Sequence, residues 1–261
     1  MSLTRSYSCP MFICRDLEPV RALLLRDEPA TRAVYNKVFG LAGSKPKWVR
    51  VDDPESPKAV IIRMWWLTLW TRDRKAGRRM LDQIPDRWNM NFCATPTWVT
   101  KYVTRDRKLR WTNPCYGYAL TDPKKLRRFS AARVGTLSPE DSPTVAKYWP
   151  YHSGKGDSMY INWRIRTGPT CAIRRRGELA AWALTHDDGS MGFLHVLEQH
   201  RGKGYARTIG TALARRSMQR GVMPFVFIET KNRASQRLTE SLGFDRLGPY
   251  SWFSARPRSR A

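Results

Sequence analysis

The residues best suited to chemistry form one short run, Arg201-Gly-Lys-Gly-Tyr-Ala206. Two glycines one residue apart let a backbone turn sharply and approach a ligand with no Cβ in the way. Apolar alternation from Met191 to Glu198 reads as a strand ending just before the run. A helical period with Ile209, Leu213 and Met218 on one face starts at Gly204 and stops at Gly221. A loop between a strand and a helix N-terminus holds unpaired amides aimed at its own hollow. Such a hollow suits a diphosphate, and Arg201 and Lys203 add positive charge. The spacing is not that of a nucleotide P-loop. Nor is it a dinucleotide fingerprint, because Arg207 stands where the third glycine would fall.

Titratable groups adjoin the run. His195 lies on the strand and Glu198 at its end, and either is a candidate general base. The plainer alternatives are a histidine hydrogen-bonded in the core and a solvated strand end. Asn232 follows a strand at Phe225–Glu229 and precedes a helix from Ala234 to Leu242. It is either a ligand contact or a turn residue capping that helix. His200 reads as a loop residue, and His152 and His186 as surface positions.

The elements that must hold these groups can be read in outline. Helices are expected at 142–149 and 158–166, then strands at 170–175, 179–186 and 191–198, with an Asp-Gly hairpin signal at Asp188-Gly189. A last strand is expected at 250–253. The earlier half reads as helices at 17–26 and 30–41, strands at 47–51 and 59–70, a helix at 74–84, a strand at 89–94, a helix at 97–103 and a strand at 116–120. The turn-rich stretch Thr136–Pro143 is the expected boundary region, dividing the chain into domains at 1–130 and 131–261. Gly154-Lys-Gly156 reads as a loop able to lie over an acceptor pocket.

Composition is that of a folded α/β protein, with 41% hydrophobic and 26% charged residues. The longest apolar stretch, Ala59–Trp70, is twelve residues long and contains Arg63, so no membrane span or membrane partner is expected. Met11–Cys14 is too short for a signal-peptide core, which makes the cytoplasm the default location. The five cysteines are scattered, with no C-x-x-C pair and no histidine at ligand spacing, so neither disulfides nor a metal site are expected. Most of the eleven tryptophans read as core material. The net charge of +25 is the extreme feature. Residues 1–130 hold 26 basic and 12 acidic side chains and the rest hold 21 and 10, so the excess is no detachable tail. It suits a phosphate-bearing cofactor, nucleic acid or another polyanion.

The strand–loop–helix resembles the acetyl-CoA loop of the GNAT acyltransferase superfamily, whose signature Q/R-x-x-G-x-G/A is met by Arg201-Gly-Lys-Gly204-Tyr-Ala206. The following strand, Asn232 and the terminal Leu242-Gly-Phe244 agree with that superfamily's second half. A narrower likeness, carried by Val145-Ala-Lys-Tyr-Trp149 and Ile165-Arg-Thr-Gly-Pro-Thr-Cys171, is to the glycine N-acyltransferase family. The resemblance implies a tandem GNAT-like fold, a mixed and mostly antiparallel sheet flanked by helices, with a degenerate N-terminal half. It implies acetyl-CoA or another acyl-CoA as co-substrate and no metal, and a small amine acceptor such as glycine. Val196, Leu197, Arg201, Gly202, Lys203, Gly204, Tyr205, Ala206 and Asn232 would hold the cofactor. A mitochondrial location and a monomer or homodimer are also consistent with it. Two departures matter. The family's glutamate base falls on Ser190, and the tyrosine that protonates the leaving thiolate falls on Thr239 or Glu240. Three readings stay open: transfer to a small amine, transfer to a protein or RNA amine, and a non-catalytic CoA- or nucleic-acid-binding protein.

Overall fold

The computed structural model describes residues 11–40, 46–149, 151 and 155–258. A first series runs β1 (Phe12–Ile13), α1 (Glu18–Arg26), α2 (Arg32–Phe39), β2 (Trp48–Val51), β3 (Ala59–Arg63), β4 (Leu67–Thr71), α3 (Arg74–Asp82), β5 (Met90–Pro96), α4 (Thr97–Val103) and β6 (Leu109–Ala119). A second runs α5 (Ser142–Lys147), α6 (Lys155–Thr167), β7 (Thr170–Arg175), β8 (Glu178–Thr185), β9 (Met191–Val196), α7 (Tyr205–Gln219), β10 (Phe225–Glu229), α8 (Arg233–Ser241) and β11 (Asp245–Ala255). From the paired helices onward the order is the same twice. Even β1 has a counterpart, since Gly135 bridges Ala172 ahead of α5.

Two compact units result: Met1–Val38, Lys45–Cys115 and Pro249–Ala261 in one, Phe39–Ser44 and Tyr116–Gly248 in the other. The division is not a linear cut at 130/131. β6 begins in the first unit and ends in the second, and β11 does the reverse. Thr136–Pro143 lies inside the second unit, where Ser138 and Asp141 form a capping box leading into α5.

In the first unit β2, β3 and β4 form an antiparallel meander, β5 joins β4 in parallel at Leu67 and Phe92, and the end of β11 pairs with β5. Phe92 and Phe253 stack at 5.0 Å in a core covered by Met80, Leu81 and Ile84. In the second unit β7, β8 and β9 form a three-stranded antiparallel sheet. Ile209, Leu213 and Ala214 of α7 are wholly buried on one side of it. Val145, Ile161 and Trp182 form the core on the other. Burying each such large side chain contributes about 1.5–3 kcal/mol.

Several expectations are corrected. The single strand expected at 59–70 is the hairpin β3–β4, turned at Met64-Trp65-Trp66 with Met64 N–H donating to Trp66 O. No glycine or proline marks that turn, so the apolar run read straight through it. β6 starts at Leu109 rather than 116, because its outer half is exposed and Asn113-Pro114 interrupts the apolar pattern. β11 spans Asp245–Ala255 rather than 250–253. Gly156 is helical within α6, while Gly154 and His152 lie outside the described residues. Cys14, Cys93, Cys115 and Cys171 are free thiols, and burial pushes Cys171 up to about 11. Among the described residues no cluster of three or more His, Cys, Asp or Glu is placed to hold a metal, and no helix is long and apolar enough to cross a membrane.

Candidate functional site

β9 is the last strand of its sheet. It pairs with β8 through Ala181↔Val196 and Trp182↔His195, and a bulge falls where Phe193 takes a left-handed φ of 53°. Beyond the bulge the Leu197 amide donates to Ala180 O at 3.0 Å. Backbone groups alternate in direction along an antiparallel strand. Those of His195 and Leu197 therefore face β8, and those of Leu194 and Val196 face the opposite edge. No ladder covers that edge among the described residues, because β10 belongs to the other sheet. β9 and β10 are neighbouring parts of one unit with unlaced backbone between them.

Past β9, a short turn at Glu198–His200 leads to Arg201, and Gly202 and Gly204 adopt φ of 76° and 74°. Only glycine takes these angles without strain. α7 then begins with no side chain capping it. Among the described residues no acceptor takes the amides of Gly202 to Ala206. A Cβ on Gly202 would meet nothing within 4 Å, so that side of the loop is open, whereas one on Gly204 would sit 3.2 Å from Ala131 Cβ. The first turn of α7 is anchored from β7: Arg175 Nε donates to the Tyr205 hydroxyl at 2.7 Å, and its guanidinium covers the ring at 5.2 Å. Ala206 is half-buried in the same turn. Lys203 Nζ donates to Gln199 O at 3.2 Å. Arg201 pairs with Glu198 at 3.7 Å, both largely in solvent. Exposed pairs of this kind are weak, so Arg201 can turn to a bound anion at little cost.

The two candidate bases differ. His195 points to the α5–α6 face, its ring 4.9 Å from Trp182 and 4.6 Å from Tyr148. Burial, with a smaller contribution from Arg201, lowers its pKa, so the imidazole is neutral and able to accept a proton near neutral pH. Glu198 has a side chain 88% exposed and engaged with Arg201. The Leu197 amide is already used within the sheet, and of the two strand positions only Val196 presents its backbone to the open edge. Asn232 caps α8, its Oδ1 accepting from Ser235 N–H at 3.0 Å.

At the position of the expected glutamate, Ser190 is buried, and both its N–H and hydroxyl donate to Asp188 Oδ1. In α8, Thr239 is buried, and Glu240 accepts from the Tyr118 hydroxyl at 3.1 Å. Neither offers a phenol. Sequence reading missed an aromatic wall between α5 and α6. Trp149 lies 5.1 Å from Phe193 of β9, and the Tyr151 hydroxyl donates to Glu229 at the end of β10. This connection thus touches both strands that flank the open edge. Its one sequence signal was the density of rings at Tyr148, Trp149 and Tyr151.

Residues 171–253 match the family model described as FR47-like protein. A bovine glycine N-phenylacetyltransferase is 22% identical over 121 residues, and the chain spans 41% of that relative's length. A Drosophila protein solved by X-ray crystallography superposes with a TM-score of 0.73 at 17% identity, covering 95% of this chain and 99% of that one. A putative GNAT-family acetyltransferase from Novosphingobium aromaticivorans gives a TM-score of 0.55 at 17% identity, covering 89% and 100%. The chain is thus similar over residues 171–253 to the FR47-like family, and it shares its mixed α/β fold with the Drosophila protein and the Novosphingobium GNAT-family protein.

Proposed function

We propose that this protein transfers an acyl group from acyl-CoA to the primary amine of a small acceptor, by likeness to its bovine relative glycine or another amino acid. The reading rests above all on the uncapped amides of Gly202 to Ala206 beside the unlaced edge of β9. The CoA diphosphate accepts hydrogen bonds from those amides, with Arg201 and Lys203 adding charge. The pantetheine arm lies along β9 and exchanges hydrogen bonds with Val196. The amine nitrogen attacks the thioester carbonyl, forming the C–N bond. His195 takes the amine proton, and the tetrahedral oxyanion is held by a strand amide. Collapse breaks the C–S bond and releases CoA thiolate, which takes a proton from water. The first unit is a degenerate GNAT-like half with no part in the transfer. Acetyl-CoA and benzoyl-CoA are titrated calorimetrically, and thiol release is then followed with glycine and other amines. Absence of binding heat with every acyl-CoA tried would remove the cofactor assignment.

The +25 charge favours a second acceptor class, a protein or RNA amine. Mass spectrometry of free amino acids, protein and RNA incubated with labelled acyl-CoA separates the two. Acyl-CoA binding without thiol release in the presence of any acceptor would leave a non-catalytic CoA-responsive protein.

A further inference from the structure

The first unit exposes aromatic rings interleaved with cations at one end of the β2–β3–β4 meander. Trp65, at the hairpin tip, is 77% exposed, and Lys47 Nζ stands 5.4 Å from its ring centre. Trp66 beside it meets Trp111 at 5.4 Å, and Trp111 is itself 42% exposed on the outer half of β6. Arg50 covers Trp48 at 5.0 Å and Arg63 covers Trp88 at 4.1 Å. Soluble proteins bury most tryptophan surface, so rings kept outside call for a physical reason.

Charge narrows the choice. Residues 46–51, 59–71 and 107–120 contain no Asp or Glu. Among the described residues no carboxylate pairs with Lys47, Arg50, Arg63 or Arg110, although many other cations of the chain are paired. Uncompensated positive charge beside flat rings complements a polyanion that carries flat groups of its own. Single-stranded nucleic acid has both a phosphate backbone and unpaired bases to stack. An anionic membrane fits less well. The outer half of β6 is exposed and includes Arg110, Thr112 and Asn113, polar groups that would lose water on entering hydrocarbon, and Met64 beside Trp65 is buried rather than offered to lipid.

We propose that this surface binds single-stranded nucleic acid, with Trp65 and Trp111 as stacking platforms and Lys47, Arg63 and Arg110 as phosphate contacts. It is independent of the acyl-transfer site, and one function can fail while the other stands.

Fluorescence anisotropy of a labelled oligouridylate of about 12 nucleotides, titrated with the full chain at several salt concentrations, tests the proposal. Binding is expected to weaken steeply with salt, and Trp65→Ala with Trp111→Ala to weaken it about tenfold or more. The same double variant should keep wild-type affinity for heparin, which has charge but no bases, and wild-type acyl-CoA binding. Its melting temperature is measured alongside to show that the fold is intact, and Lys47→Gln with Arg110→Gln provides a second probe with the rings in place. Equal losses for oligonucleotide and heparin, or no loss for either, would reduce the surface to unspecific charge and overturn the proposal. Tryptophan-dependent binding to phosphatidylserine vesicles, without tryptophan-dependent oligonucleotide binding, would overturn it in favour of a membrane.

Discussion

Both units contain the same step from an antiparallel meander into a helix, yet only in the second does the helix begin without a side-chain cap. In the second unit β9 passes through Gly202 and Gly204 into an uncapped α7. In the first, β4 passes through Arg72 and Asp73 into α3, and the Asp73 carboxylate accepts from the Lys75 amide at 2.7 Å. A cavity of about 430 Å³ adjoins that junction, lined in part by Arg26, Lys58 and Arg72. Concavity and positive charge are therefore present in the first unit too. What it lacks is a vacant helix end, because a carboxylate of its own already stands where a phosphate would bind.

The strand edges differ in the same sense. β4 and β5 are tied in parallel at Leu67 and Phe92, and beyond that point side chains continue the closure. Thr95 Oγ1 donates to Leu69 O at 3.3 Å, and the buried Lys37 ammonium reaches Cys93 Sγ at 3.1 Å beside Thr68. Side chains occupy the space that a pantetheine arm would need. Between β9 and β10 no backbone ladder forms among the described residues. Duplicating the element order has duplicated the scaffold, and on the function proposed above, caps and gap-filling side chains decide which copy binds acyl-CoA.

The largest effect is expected from giving the second junction the first one's cap. Gly204→Asp sets a carboxylate at the head of α7 against the diphosphate. Like charges brought together in a site cost several kcal/mol, so acyl-CoA affinity should fall by about a hundredfold or more. Gly204→Asn carries nearly the same shape and backbone strain without the charge. Calorimetry should show it retaining far more affinity, and equal losses in the two variants would mean that strain rather than charge closes the site.

Next in size is the proposed proton acceptor. His195→Gln should lower kcat by about a hundredfold while leaving acyl-CoA binding nearly unchanged. Because burial lowers the His195 pKa, the accepting form predominates at neutral pH and is lost as pH falls through the depressed value. The wild-type rate should fall on that acid limb, and the variant should lack the limb. The unfolded chain protonates this histidine more readily than the folded one. Its contribution to stability is thus complete above the ordinary histidine pKa and shrinks as pH falls below it. A pH–rate profile unchanged in His195→Gln would move the role to Glu198 or to water.

The parts of this comparison that were legible in the sequence were those written in local pattern. Gly202 and Gly204 announce left-handed backbone, and the alternation from Met191 to Val196 announces a strand, so the open junction could be read before any fold was known. The first unit was harder. Its hairpin tip at Trp65 has no turn residue, and Asp73 looks like any surface carboxylate until the start of α3 is fixed. The exchange of β6 and β11 between units is a matter of non-local pairing, for which residue type carries no signal. His195 and Glu198 looked alike as candidate bases, and only burial against Trp182 and Tyr148 separates them.

A smaller effect tests whether the α7 amides need holding in place. Arg175→Met removes the bond to the Tyr205 hydroxyl and should cost about 1 kcal/mol of stability. If the anchoring serves binding, acyl-CoA affinity should fall by a few-fold at a temperature where the variant remains folded. Unchanged affinity would mean that the loop keeps its shape through its glycines alone.

The smallest effect is expected in the first unit, and it asks whether the Asp73 cap alone would account for the proposed absence of acyl-CoA binding there. Asp73→Ala frees the Lys75 amide at the head of α3 and should cost about 1 kcal/mol of stability, read as a lowered melting temperature. It should not create a second acyl-CoA site. Arg72 and Asp73 provide no glycine turn, and the space between β4 and β5 stays filled by Lys37, Thr68 and Cys93. Calorimetry on the variant should therefore give the same one-site stoichiometry as wild type. A second site appearing on loss of one carboxylate would show that the cap alone had silenced this copy, and that the filled strand gap is incidental to it.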